Sequence, residues 1–339
     1  MKKSASLLLI CCLLSLPGFA QRLKKDEARS LSYKLLRQYS PDSYHLLKTM
    51  ADAPTKLKTG SSSISFGEAT DFMVWVEQKD KESLISSLET AVHETNHGYT
   101  FRMGVFLKEK DTEEDADGWG FASLNNQEAY YIDPEQTIVV EKTEVYRTKE
   151  MNEVIPERFK TFRYKTYVYP SSGIGAQKDG AYGLMDEWNS YYHGTRTSFD
   201  FYPYFEARAG RDFSVWQQYV QNVAGTYYAH LEFKYYILEY LLYAKENYPE
   251  VYEGILNNAQ FRLAFRTIDS RFTKLTEDWF AQIDQIIAAG KEQGKNVRID
   301  GEYFWIDGSG VGIFSEHWEV LTEALSDPKY QPLLADLQE

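Results

Sequence analysis

Ser87-Leu88-Glu89-Thr90-Ala91-Val92-His93-Glu94-Thr95-Asn96-His97-Gly98-Tyr99 carries the pattern H-E-x-x-H from His93 to His97. Residues four apart in an α-helix lie on one face a single turn apart, so both imidazoles can point at one ion. Glu94 follows the first histidine and precedes the second by three, which places its carboxylate beside the same pocket. Two neutral imidazoles hold Zn2+, and a carboxylate so placed can take a proton from water at the site. With six histidines in 339 residues, accident yields this pattern in about one such chain in a hundred.

The surrounding residues supply the helix the motif needs. Leu84, Leu88, Ala91, Val92 and Thr95 form one stripe over residues 81–97, and Asp80 or Ser83 can cap its start. Gly98 is positioned to end or bend it. Upstream, residues 26–51 have helical spacing with a break at Pro41-Asp42. Residues 56–65 are rich in Lys, Gly and Ser and suggest a loop. Downstream, residues 101–107 and 137–140 favour strands, separated by an acidic turn at 111–117 that lacks EF-hand spacing. Residues 144–159 look helical with Pro156 as a break. Residues 162–169 alternate as a strand ending at Pro170, an edge on which an extended peptide could align. The small-residue loop 171–176 lacks the Gly-Lys-Ser/Thr ending of a phosphate loop. Ala224-Gly225-Thr226 opens a long aromatic helix over 227–248. Residues 280–289 and 316–325 are helical, and 301–314 suggests a hairpin. Repeats, low-complexity tracts and linkers are absent, which favours one continuous domain.

The first 20 residues have the layout of a signal peptide: Lys2-Lys3, a short apolar core over 7–16, then Pro17-Gly18-Phe19-Ala20. That run is too short for a membrane span. Lipidation at Cys11 or Cys12 is disfavoured by their neighbours. An exported chain, periplasmic or extracellular, is expected, with residues 21–339 as the domain. Both cysteines fall in the leader, so disulfides would not support the fold; a core or a bound metal must. The chain carries a formal charge of −13, and losing Lys2 and Lys3 moves it two units further, to −15. Such a surface repels nucleic acid and anionic lipid.

Two histidines do not complete a catalytic zinc site, which takes three protein ligands and leaves one position for water. Residues 98–107 contain no histidine, so a third ligand close behind the motif is missing and a carboxylate further on is indicated. HExxH is the signature of the zincin metallopeptidases. Without a nearby third histidine, the chain resembles the gluzincins, the thermolysin-like group whose third ligand is a Glu on a later helix within a pattern close to G-x-x-N-E-x-x-S-D. Gly183-Leu184-Met185-Asp186-Glu187-Trp188-Asn189-Ser190-Tyr191 is similar at the Gly, Glu and Ser positions. It departs where Asp186 replaces Asn and Tyr191 replaces Asp. The resemblance covers two short motifs. It implies Glu187 as third ligand, with Glu206, Glu232 and Glu239 as the other candidates. It further implies an α+β, mainly helical zincin-like domain with a small mixed sheet, and hydrolysis of a peptide or protein substrate with Glu94 as general base. Asp186, Asn189, Tyr191, Tyr192 and His193 could form an outer shell. Tyr182, Tyr191, His193 and His230 are candidates to stabilise an oxyanion. His45 and His317 are expected at the surface. Two other classes stay open at this level: an exported aromatic-rich, glycan-binding protein, and a degenerate zincin or a zinc hydrolase of some other bond.

Overall fold

The computed structural model describes residues 22–59, 62–111, 126–170 and 173–339. The expected leader, residues 112–117 of the acidic run and the start of the loop at 171–172 lie outside the described residues. The described residues are mostly helical, with three small antiparallel sheets among them, an α+β arrangement. A mixed sheet was expected; every strand pairing is antiparallel instead.

Helices α1 (Lys25–Tyr39) and α2 (Pro41–Ala51) meet at the expected proline break. The segment expected as a loop is a hairpin, β1 (Lys56–Thr59) with β2 (Ser62–Ser65). A 3-10 turn, Phe72–Val74, follows. It is fastened to α1 by Arg29, whose guanidinium donates to both oxygens of Asp71 at 2.9 and 2.7 Å.

Helix α3 spans Lys81–Asp111, a longer element than the sequence suggests. Asp80 caps it as expected, accepting the Ser83 N–H at 2.7 Å. Gly98 does not end it, and residues 101–107 are its continuation rather than a strand. Tyr99, Arg102 and Val105 are buried while Phe101 is half exposed. That three-residue spacing is helical; the β-prone composition of the stretch reflects burial against a neighbouring strand. Gly104 marks the contact, since a Cβ there would stand 2.5 Å from the Gln127 carbonyl oxygen.

That neighbour is β3 (Gln127–Asp133), which forms a hairpin with β4 (Gln136–Glu141). Side chains alternate along a strand, and here the alternation serves two cores. Tyr130 and Ile132 pack in one, Ala129 and Tyr131 in the other. Two 3-10 segments, Thr148–Glu153 and Glu157–Phe159, replace the expected helix, broken as foreseen at Pro156. The expected edge strand at 162–169 is instead a short helix, α4 (Tyr164–Tyr167). Tyr164 and Val168, four apart, are buried while Phe162 is 73 % exposed, so the alternating composition misleads.

The short α5 (Gly175–Lys178) leads into α6 (Gly180–Asp200), which packs along α3. Then come α7 (Tyr202–Ala209), α8 (Val215–Ala224), the aromatic α9 (Ala229–Asn247) and α10 (Pro249–Leu256). Helix α11 (Ala259–Glu292) is followed by a meander, β5 (Val297–Asp300), β6 (Tyr303–Ile306) and β7 (Ser309–Gly312), the last two forming the expected hairpin. Helices α12 (Ser315–Leu325) and α13 (Gln331–Gln338) close the chain.

Gly104→Ala is expected to destabilise the fold by about 1–3 kcal/mol, because the new methyl meets β3 backbone that cannot swing aside. Alanine's helix preference of about 1 kcal/mol over glycine acts in the opposite direction. Chemical denaturation of the two proteins measures the balance, and a more stable variant would contradict the α3–β3 contact.

Candidate metal centre

Helices α3 and α6 approach so closely that a Cβ on Gly194 would stand 3.2 Å from the Glu89 carbonyl oxygen. Across this contact α3 presents His93 and His97 and α6 presents Glu187. The two Nε2 atoms lie 3.1 Å apart. Glu187 Oε2 is 3.3 Å from His97 Nε2 and 3.8 Å from His93 Nε2. A tetrahedral ion with ligands at about 2.0–2.1 Å has edges of roughly 3.3–3.4 Å, so the two edges at His97 are near the size that Zn2+ requires and the His93–Glu187 edge, at 3.8 Å, is longer. Among the described residues this is the group whose ligand atoms converge on a metal-sized space. The buried Glu187 Oε2 makes no well-aligned hydrogen bond, its charged neighbour being His97 Nε2 at 3.3 Å. An unpaired buried carboxylate oxygen is costly, and a cation at the centre of the triangle would satisfy it.

The next layer fixes the ring orientations. His97 Nδ1 donates to Asp186 Oδ2 at 2.6 Å, which turns Nε2 toward the centre, where its lone pair becomes available once that nitrogen loses its proton. Ser190 Oγ stands 3.2 Å from the same Nδ1 and accepts from Asn96 Nδ2 at 2.9 Å. Asp186, which stands where the resembled pattern has Asn, thus pairs with the second histidine of the motif, while His93 Nδ1 has no hydrogen-bond partner.

Electrostatics divide the two histidines. Burial, helped by the neighbouring His97, holds His93 well below its ordinary value, so its ring is neutral. Burial opposes charge on His97 too, but the Asp186 and Glu187 carboxylates outweigh it and raise that ring well above 6.5. Burial also raises Glu187, against the pull of His97. Glu94 is half-buried and borders an adjoining cavity, and its charge is one of those opposing ionisation of Glu187.

Tyr191 belongs to the site. Its ring meets His93 edge to face at 4.4 Å between centroids, and its hydroxyl lies 3.0 Å from that of Tyr167. The Arg163 guanidinium sits between aromatic rings, 4.4 Å from the centre of Tyr191 and 4.6 Å from that of Tyr228. It is anchored by Glu232 at 2.5 Å and by the Gly225 carbonyl at 2.8 Å. Burial raises Tyr191, although Arg163 partly offsets it, so the hydroxyl remains a donor. Tyr167 and Arg163 are not among the candidates the sequence offers, because they lie in a stretch whose alternation suggests a strand. Their shared signal was the density of Tyr and Arg before Pro170.

The other expected histidines are corrected. His193 is buried with Nε2 donating to the Tyr131 carbonyl at 2.7 Å, and desolvation lowers it to about 4. His230 stacks on Trp188 and pairs through Nε2 with Thr273 at 3.1 Å, inside the aromatic core. Neither is brought to the His93–His97–Glu187 triangle. The Tyr182 hydroxyl is likewise held elsewhere, by Thr143. Among the alternative ligands, Glu232 is committed to Arg163 and Thr161, and Glu239 to Lys329 and Tyr330. Glu206 is exposed on α7. His45 is exposed, as expected; His317 is half-buried against Tyr228.

The metal-free protein is expected to bind one Zn2+ per chain, and Glu187→Ala or His97→Ala to abolish stoichiometric binding. From pH 6 upward the apparent affinity should climb about tenfold per unit, because zinc must displace the His97 proton. The rise flattens only above the raised value of His97. That proton stabilises the metal-free fold fully below 6.5, and its contribution is lost as pH rises through the folded value. Zinc-free stability should therefore fall over the same interval. Calorimetric titrations at pH 6, 7 and 8 check this, and a pH-independent affinity would contradict it.

Comparison with protein-family models, with characterised proteins and with solved structures returned no match, so the geometry of the centre alone carries its interpretation.

Proposed function

We propose that the protein is an exported, zinc-dependent peptidase with a zincin-like catalytic arrangement. The observation that carries this is the convergence of His93, His97 and Glu187 on one metal-sized space with Glu94 beside it. The three residues would hold Zn2+ and leave a fourth position open. When bound, the ion would polarise the scissile carbonyl and acidify a water.

The chain's own groups do the remainder. Glu94 takes the proton from the attacking water as the C–O bond forms, then delivers it to the amine as the C–N bond breaks. The Tyr191 hydroxyl, kept protonated by its surroundings, donates to the oxyanion. Asp186 holds His97 in a single tautomer, and the Arg163–Glu232 pair keeps Tyr191 packed on His93. The expected alignment of substrate along residues 162–169 is withdrawn, because those residues form no strand. Among the described residues no helix is long and apolar enough to cross a membrane.

Glu94→Gln is expected to retain one zinc per chain and to lower kcat/KM by about 10²–10⁴. Tyr191→Phe should keep the zinc as well and lower kcat by about 10²–10³, with KM little changed. Mass-spectrometric digestion of a broad peptide library, with metal analysis of each protein, reads both effects. A Glu94→Gln protein that cleaves at the unmodified rate would remove Glu94 from the chemistry.

A further inference from the structure

The register of the meander β5–β6–β7 sorts its side chains onto two faces. Val297 pairs with Ile306, and Phe304 lies between Ile299 and Val311; Val297, Phe304 and Ile306 join the core. The alternate rows are Arg298–Trp305–Gly310 and Asp300–Tyr303–Gly312, which place two aromatic rings, an ion pair and two glycines on the other face. We propose that this face binds a neutral oligosaccharide, with successive sugar rings stacked on Tyr303 and Trp305. The proposal uses none of the metal-centre residues and stands apart from the peptidase reading.

The glycines shape the platform. A Cβ at Gly310 would stand 3.0 Å from the Trp305 indole, so the missing side chain lets that ring lie down over β7. At Gly312 a Cβ would meet nothing closer than 3.9 Å, which leaves open space beside Tyr303. The seat on Gly310 accounts for the half-buried Trp305 as packing. Packing does not account for Tyr303, which is 50 % exposed and, among the described residues, stacks against Trp305 alone.

Sugars offer C–H groups on their ring faces and hydroxyls at the rim. The two aromatic rings suit the first. Arg298 and Asp300 suit the second. The Arg298 guanidinium lies 5.6 Å from the centre of Trp305, and its contacts to Asn296 and Asp300, at 3.3 and 3.7 Å, are long ones. Donors on the arginine and acceptors on the exposed aspartate therefore remain for hydroxyl groups.

Other occupants fit less well. A stable protein interface covers about 800 Å² on each partner with roughly 20–30 residues; this face has six, two of them glycine and none aliphatic. Asp300 offsets Arg298 locally, and the chain's formal charge of −13 repels anionic lipid and acidic polysaccharide. The tilt selects among neutral chains. The ring centres are 5.7 Å apart with planes inclined by 48°, so sugars resting on both must turn from one unit to the next. An α-1,4-linked glucose chain curls in this way, whereas a β-1,4-linked one is a flat ribbon.

The test titrates the full chain with maltohexaose and with cellohexaose by calorimetry. Maltohexaose should bind with a Kd of about 0.1–1 mM, as a shallow two-ring site allows, and cellohexaose about tenfold more weakly or not at all. Tyr303→Ala removes an exposed ring and should weaken maltohexaose binding about tenfold. Arg298→Ala, a second surface change, should weaken it about fivefold. Phe162→Ala removes a ring that is 73 % exposed elsewhere and should change nothing. Circular dichroism checks that each variant is folded. Absence of maltohexaose binding, cellohexaose binding as tightly or more so, or an affinity untouched by Tyr303→Ala or Arg298→Ala would each overturn the proposal, as would an equal loss in Phe162→Ala.

Discussion

The close crossing of α3 and α6 is the constraint on which the centre depends. Ligands about ninety positions apart in the chain can share one ion only if two helix axes come nearer than ordinary side chains allow. Gly194 provides that approach against the backbone of Glu89. One turn back from Gly194 on α6 stands Ser190, and one more turn back stand Asp186 and Glu187, all turned to α3. The pairing is between neighbouring faces of two long helices, whose internal hydrogen bonds hold each ligand's backbone rigid.

Burial then sets the charge state. Around the triangle the protein has gathered two imidazoles and the carboxylates of Asp186 and Glu187 with little water to screen them. Without an ion, this arrangement leaves a raised His97, a depressed His93 and an unpaired Glu187 oxygen. Buried charge that is only partly compensated is destabilising. A divalent cation would give the Glu187 oxygen a partner and suits the neutral His93 ring, but it must displace the His97 proton. The buried Glu187 carboxylate would thus add to affinity, and the His97 proton would oppose it.

Much of the site was legible in the sequence, and the reasons are local. The H-E-x-x-H spacing needs only helical periodicity to be converted into geometry, and the stripe from Leu84 to Thr95 supplied it. Glu187 came from resemblance to a short motif, and Asp186 looked like a defect in that motif when it is the partner of His97. What failed were inferences that require tertiary packing. The stretch 101–107 has strand composition because α3 lies against β3. The alternation at 162–169 has the pattern of an edge strand, yet Tyr164 and Val168 face inward from a turn of helix. His193 and His230 carry the residue type that catalysis uses, but burial among aromatic groups is a matter of position, which a single sequence does not reveal.

The Tyr131 carbonyl of β3 receives two donors from α6, Asn189 Nδ2 at 3.0 Å and His193 Nε2 at 2.7 Å. Both side chains leave α6 away from the edge that bears Glu187, so they act as a two-pin latch on its far side. A cylinder held at two points one turn apart cannot roll about its own axis. The angle at which Glu187 meets the two imidazoles is therefore set from behind, by a strand whose alternate side chains are keyed into separate cores. A histidine remote from the triangle thereby fixes the aim of Glu187.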